Sequence, residues 1–192
     1  MAKRYQIILA DPPWCYGSRG ARGGKFGELD YSSMTISDMC RMDVESIASP
    51  VAHLYMWVTS PFLADCHAVA SAWGFKQFIR CEKVWGKVKE SGARHGVCGP
   101  HGMSDCEFLL LFARGGKTTS MYNGKKRNQY QLEKLPFTGK HSEKPDEFRD
   151  MIDHKYVDGL SKLEMFARYS VEGWDVFGNE APNSITIETK PC

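Results

Sequence analysis

Nothing in this sequence supplies a membrane anchor. No apolar run approaches the roughly 20 residues that a helix needs to cross a bilayer. The N-terminus, Met1-Ala-Lys-Arg4, passes straight into a short apolar strand and lacks a signal-peptide core. Charge of one sign is also missing: 25 Lys and Arg stand against 23 Asp and Glu, for a formal net charge of +2. Any affinity for a polyanion must therefore come from local clustering and not from bulk charge. The seven cysteines form no C-x-x-C pair and are odd in number, which argues against a disulfide framework and for a reduced, cytoplasmic setting. His95, Cys98, His101 and Cys106 lie close together, but in the spacing of no common zinc finger and among loop-like glycines. No metal site is expected from them. Internal repeats and low-complexity tracts are absent as well.

What is present fits one ordinary globular domain. The 192 residues are 42% apolar and 25% charged, enough to bury a conventional core. Tyr5–Ala10 and His53–Thr59 read as short buried strands, Phe75–Trp85 as a third, and the unbroken apolar run Glu107–Ala113 as a central one. Thr35 or Ser37 caps a helix expected to reach about Ile47. Pro61 opens another that ends near Trp73-Gly74, and Pro145-Asp-Glu-Phe148 starts a third with acids at its positive dipole end. Lys162–Ala167 and Trp174–Phe177 read as closing strands. Strands alternating with helices imply an α/β fold built on a mostly parallel sheet. Loop insertions are expected near 15–30, 86–105 and 114–142.

The chemistry begins at the end of the first strand, with Asp11-Pro12-Pro13-Trp14. Two prolines cannot continue a ladder, so the chain leaves the sheet there. A carboxylate, a proline carbonyl and an aromatic plane are thereby gathered at the edge where open α/β sheets bind ligands. Two acceptors beside a stacking plane suit a flat ring bearing an amine, such as a nucleobase; a Pro-Pro turn with a packed tryptophan is the plainer alternative. The glycine-rich stretch that follows carries Arg19, Arg22 and Lys25, but it is not a dinucleotide fingerprint. A second basic stretch, with Lys125, Lys126 and Arg127 between Tyr122 and Tyr130, has no acid until Glu133. Cations interleaved with aromatics fit a nucleic-acid surface.

These residues have ordered companions: Tyr31-Ser-Ser-Met34, Trp57-Val58-Thr59, Trp73-Gly74-Phe75, His141-Ser-Glu-Lys-Pro-Asp-Glu147, Leu163-Glu-Met-Phe-Ala-Arg168 and Phe177-Gly-Asn-Glu180. Over roughly residues 5–180 the set resembles the D-P-P-W adenine-N6 methyltransferases typified by the catalytic subunit of the eukaryotic mRNA adenosine methyltransferase. The resemblance implies a Rossmann-like fold in permuted order, with S-adenosylmethionine as methyl donor and the catalytic motif ahead of the cofactor-binding end. It makes Asp11, Pro12, Pro13 and Trp14 the catalytic loop, with Trp14 and Tyr31 also facing the target base. Asp11, Ser142, Lys144, Arg168, Asn179 and Glu180 become cofactor contacts, Lys144 pairing with the methionine carboxylate. Arg19, Arg22, Lys25, Lys125, Lys126 and Arg127 become nucleic-acid contacts.

Three departures from the family pattern stand out. Few residues precede Asp11 to hold the cofactor's adenine, Glu180 stands where glutamine is frequent, and Ser170 stands where histidine is common. The compact chain points to DNA as substrate, with RNA as the alternative; a non-catalytic nucleic-acid-binding subunit is the reading from another class. No membrane partner is expected, and a homodimer is compatible with the chain.

Overall fold

The computed structural model describes residues 3–16, 33–99, 101–124, 130–137, 143–178 and 180–190. Its centre is a seven-stranded sheet in the order β7-β3-β6-β2-β1-β8-β9. The strands are β1 (Tyr5–Ala10), β2 (Ala48–Val58), β3 (Gln77–Val88), β6 (Cys106–Arg114), β7 (Leu132–Pro136), β8 (Lys162–Met165) and β9 (Asp175–Phe177). All run in one direction except β6, which is antiparallel to both neighbours, β2 and β3. A separate hairpin, β4 (Val97–Gly99) with β5 (Gly102–Ser104), projects from the connection between β3 and β6.

The period of two in a strand sends alternate residues to opposite faces. Ile8, Ala10, Leu54, Met56, Val58, Leu110 and Phe112 pack on one side. There they meet Met39 of α1 (Ile36–Arg41), Val44 of α2 (Val44–Ile47), and Cys66, Val69 and Ala70 of α3 (Cys66–Ala72). Ile7, Leu9, Tyr55, Trp57, Leu109 and Leu111 face the other way, against Phe148 and Ile152 of α4 (Glu147–Lys155). Both faces are covered, which is why the strands read as continuous apolar runs.

Several expected boundaries shift for identifiable reasons. Thr35 does cap α1, its hydroxyl accepting from the Asp38 amide at 3.1 Å, but the helix stops at Arg41 instead of running to Ile47. The C-terminal segment claims the backbone there: the Lys190 amide donates to the Arg41 carbonyl at 2.7 Å and the Asp43 amide to the Glu188 carbonyl at 2.8 Å. The helix expected from Pro61 is first a 3-10 turn, Ser60–Phe62, and α3 begins four residues later. β2 starts earlier than His53, and β3 runs to Val88, so the expected insertion at 86–105 begins inside a strand. The basic insertion at 114–142 holds the edge strand β7, paired in parallel with β3.

The chain moves from β1 to β2 on one side and returns to β8 on the other, so β1 and β8 flank the point where strand order reverses. Crevices at such points, beyond the carboxyl ends of the strands, bind ligands in open α/β sheets. Asp11 stands at that end of β1. The ends of β8 and β9 also press together beside it: a Cβ on Gly178 would lie 2.2 Å from the Ala167 carbonyl oxygen, so only glycine fits.

Candidate active site

The Asp11 amide donates to the Met165 carbonyl at 3.3 Å, tying the end of β1 to β8. The two prolines then turn the chain out of the sheet, and their carbonyls point into local bonds. Pro12 accepts from the Trp14 amide at 2.9 Å, and Pro13 from the Met34 amide at 2.8 Å. A carbonyl oxygen carries two lone pairs, so the Pro12 oxygen retains capacity for a second donor.

Asp11 meets a lysine from far along the chain. Lys144 Nζ lies 2.7 Å from Asp11 Oδ2 and 3.3 Å from Glu107 Oε2. Glu107 in turn accepts from Lys87 Nζ at 2.5 Å, making a row of alternating charge: Asp11, Lys144, Glu107, Lys87. Burial and the nearby Glu107 push the Asp11 carboxyl above its usual range against the pull of Lys144. Burial favours a neutral Lys144 amine, but the two carboxylates outweigh it and raise its pKa. Burial would also raise Glu107, yet its two lysines hold it below the usual value. Lys144 and Glu107 thus favour each other's charged forms, while burial displaces the Asp11 carboxyl upward.

On the β8 side of Asp11 a pocket opens, lined by Lys144, Glu164, Phe166, Arg168 and Tyr169 together with the first turn of α4. Arg149 Nη1 donates to Glu164 Oε2 at 3.0 Å, and a second nitrogen of the same guanidinium bonds Asp146. The Tyr169 hydroxyl donates to Asp146 Oδ1 at 2.6 Å. Burial pushes the Glu164 carboxyl up, Arg149 opposing. Phe166 adopts φ 64°, a left-handed conformation that a bulky side chain rarely holds. Such strain costs about 1–3 kcal/mol and clusters at ligand clamps. Its ring packs edge-on toward Phe177, 6.5 Å between centroids. At the pocket rim Arg168 and Glu180 approach to 3.9 Å.

This pocket fits a cofactor with a carboxylate, an amine and a ribose. Lys144 supplies an ammonium, Glu164 and Asp146 supply anionic acceptors, and Arg168 with Glu180 supplies a donor and an acceptor. Asp11, Lys144, Arg168 and Glu180 gather at one edge of the sheet. Trp14 sits largely in the core. Its indole is only 4% exposed, stacks on Phe62 at 5.2 Å and 18°, and donates its N–H to the Trp57 carbonyl at 3.1 Å. A large apolar ring gains more by joining the core than by standing open, so no bare stacking plane is presented. Ser142, Asn179, Tyr31, Arg19, Arg22, Lys25, Lys125, Lys126 and Arg127 lie outside the described residues. Among the described residues no three His, Cys, Asp or Glu side chains gather as metal ligands.

Residues 5–180 match the family described as MT-A70. The chain belongs to the MT-A70 family. MT-A70 methyltransferases use S-adenosylmethionine, the donor that the β8-side pocket suits. The chain is similar to the type II methyltransferase M.MunI of a Mycoplasma species, 32% identical over 205 residues that span 98% of this chain and 83% of that protein. It is also similar to the N6-adenosine-methyltransferase non-catalytic subunit MTB of Arabidopsis thaliana, 30% identical over 92 residues, or 47% of this chain and 11% of that protein. Glu107, Lys87, Glu164 and Arg149 are site residues that the motifs did not single out. The signal for Glu107 was available: a lone acid opening the most apolar strand in the chain.

Proposed function

We propose that this MT-A70 protein is a site-specific DNA methyltransferase, transferring a methyl group from S-adenosylmethionine to the exocyclic N6 amine of adenine. The observation that carries this reading is the Asp11 carboxylate beside the Pro12 carbonyl, at the strand switch and against a pocket lined by Lys144, Glu164 and Arg168. Adenine's amine is a weak nucleophile because its lone pair is delocalised into the ring. Asp11 accepts one amine hydrogen and Pro12 the other, which favours a pyramidal nitrogen whose lone pair faces the donor. When bound, the cofactor supplies an electrophilic methyl on a sulfonium centre. Methylation would form the C–N bond as the methyl–sulfur bond breaks and the neutral thioether S-adenosylhomocysteine leaves, and Asp11 would take the proton that the amine nitrogen sheds. The gain is alignment plus preorganised charge, not covalent catalysis. In a duplex the target adenine must first leave the stack, at a cost of about a few kcal/mol.

We read the pocket as holding the methionine carboxylate on Lys144 and the ribose on Arg168 and Glu180, with Ser142 and Asn179 assisting. The basic residues Arg19, Arg22, Lys25, Lys125, Lys126 and Arg127 serve the phosphate backbone in this reading, and Tyr31 the target base. The fold works as one methyltransferase domain, in the cytoplasm, as a monomer or a homodimer. No helix among the described residues is long and apolar enough to cross a membrane.

The test is transfer of tritiated methyl to unmethylated genomic DNA and to RNA, with digestion to nucleosides. Wild-type protein is expected to label N6-methyladenine in DNA at one short motif, while Asp11→Ala binds cofactor and labels nothing. Labelling of RNA alone would move the substrate. Cofactor binding with no labelling of either polymer would leave the non-catalytic subunit as the better reading.

A further inference from the structure

Trp14 is buried, and among the described residues a second ring stands exposed close to it. Tyr16 stands two residues beyond Trp14 and is 40% exposed. Its hydroxyl shares a 2.7 Å hydrogen bond with Thr59 Oγ1, and its ring edge rests on Phe62 at 5.0 Å and 77°. A ring pinned at its hydroxyl and at one edge has little rotamer freedom left to lose on binding.

Its location follows from the sheet. Val58 of β2 pairs with Phe108 of β6, and one further step in that antiparallel register sets Thr59 opposite Glu107. Glu107 leads through Lys144 to Asp11. Asp11 therefore divides the edge: Glu164, Phe166 and Arg168 lie on the β8 side, whereas Tyr16, Thr59 and Glu107 lie on the β2 and β6 side. The cofactor pocket takes the first half. Among the described residues, Tyr16 offers an exposed ring on the second half.

The geometry points to Tyr16, and not Trp14, as the aromatic surface against which the target adenine stacks; this rests on the adenine-methyltransferase reading above. Phe62 is the shared footing, stacked face to face with Trp14 and edge-on with Tyr16. Trp14 thus acts through Phe62 as a support, and Tyr16 meets the substrate. A planar base entering on this side offers its amine edge to Asp11 and Pro12 and its face to the phenol ring.

The experiment measures kcat and KM for unmethylated genomic DNA, and the dissociation constant of S-adenosylhomocysteine, for wild type, Tyr16→Ala, Tyr16→Phe and Tyr16→Trp. Stacking predicts that Tyr16→Ala loses about 5- to 150-fold in kcat/KM for DNA, the fold-change equivalent of one stacked base. Tyr16→Phe and Tyr16→Trp retain activity near wild type, and cofactor-product affinity is unchanged in all. If Tyr16→Ala also loses S-adenosylhomocysteine, Tyr16→Leu replaces it, keeping bulk on Phe62 without a π face. Unchanged kcat/KM in the non-aromatic variant overturns the inference, as does an equal loss in Tyr16→Phe, which would assign the effect to the hydroxyl. A wild type that labels no adenine refutes the function itself; a labelling wild type with indifferent variants refutes only the role of Tyr16.

Discussion

Lys144 and Asp11, separated by 133 positions in the chain, are joined at the site by a 2.7 Å ion pair. The lysine expected to hold the cofactor's carboxylate thus also holds the carboxylate expected to orient the substrate. One ammonium serves both, because Lys144 has three donors and Glu107 accepts a second of them at 3.3 Å. A cofactor carboxylate held on Lys144 would therefore redistribute the charge around Asp11.

That coupling predicts a displaced pH profile for Lys144→Gln. Lys144 is the cation that opposes burial at Asp11, so its loss raises the carboxyl further. The acid limb of kcat/KM is expected to move toward higher pH, since the cation that favours the ionised carboxyl is gone. The dissociation constant for S-adenosylmethionine should rise in parallel. Rate profiles from pH 5 to 9 check the first and calorimetry the second; a variant with weaker cofactor binding and an unmoved acid limb would break the link.

Glu107 is expected to matter for stability as well as for geometry. Its carboxyl is held below the usual value, by Lys144 and Lys87 against burial. The stabilisation is therefore present above the ordinary carboxylate range and lost as pH falls through the lowered folded value. Glu107→Gln leaves Lys87 beside a neutral amide and Lys144 with Asp11 as its remaining carboxylate, at a site 7% exposed, which costs about 3 kcal/mol, as losing one partner of a buried pair does. Urea denaturation at pH 7 measures it. Glu107→Gln as stable as wild type would mean the lysines find other partners.

The buried Trp14 makes a third expectation. Trp14→Ala removes a ring stacked on Phe62 and bonded to the Trp57 carbonyl, and should destabilise the fold by about 3–5 kcal/mol. Trp14→Phe keeps most of that packing. Thermal unfolding of the two variants separates a supporting role from a purely substrate-facing one, for which both would melt like wild type.

The sheet was legible because its strands are short apolar runs with prolines and glycines at their ends. Asp11, Lys144, Arg168 and Glu180 were legible because motif order carried them to one edge. Three features were not. α1 stops at Arg41, where the Lys190 amide donates to the Arg41 carbonyl and the Glu188 carbonyl accepts from Asp43, contacts that no local window contains. The reversal of β6 is invisible in a run such as Phe108–Ala113, since a strand buried on both faces reads the same in either direction. The burial of Trp14 was not legible because its local sequence says nothing of Phe62, which arrives from beyond β2. Tertiary partners decided each of these cases.

His53 offers a last measurement away from the site. It is 1% exposed in β2, its Nδ1 sharing a 2.6 Å hydrogen bond with the Tyr156 hydroxyl, which also bonds the Tyr55 hydroxyl at 2.7 Å. Burial, with Lys155 nearby, pushes the imidazole down to about 4 from its ordinary 6.5. A depressed folded value means the unfolded chain takes up the proton first. The neutral ring's contribution is therefore whole above the unfolded value and drains away as pH falls from about 6.5 toward 4. The loss is on the order of 3 kcal/mol. His53→Gln, which cannot protonate, should start less stable at pH 7 but show a flatter decline between pH 7 and 5. Urea unfolding across that range reads the two slopes, and equal slopes would place the acid sensitivity elsewhere in the protein.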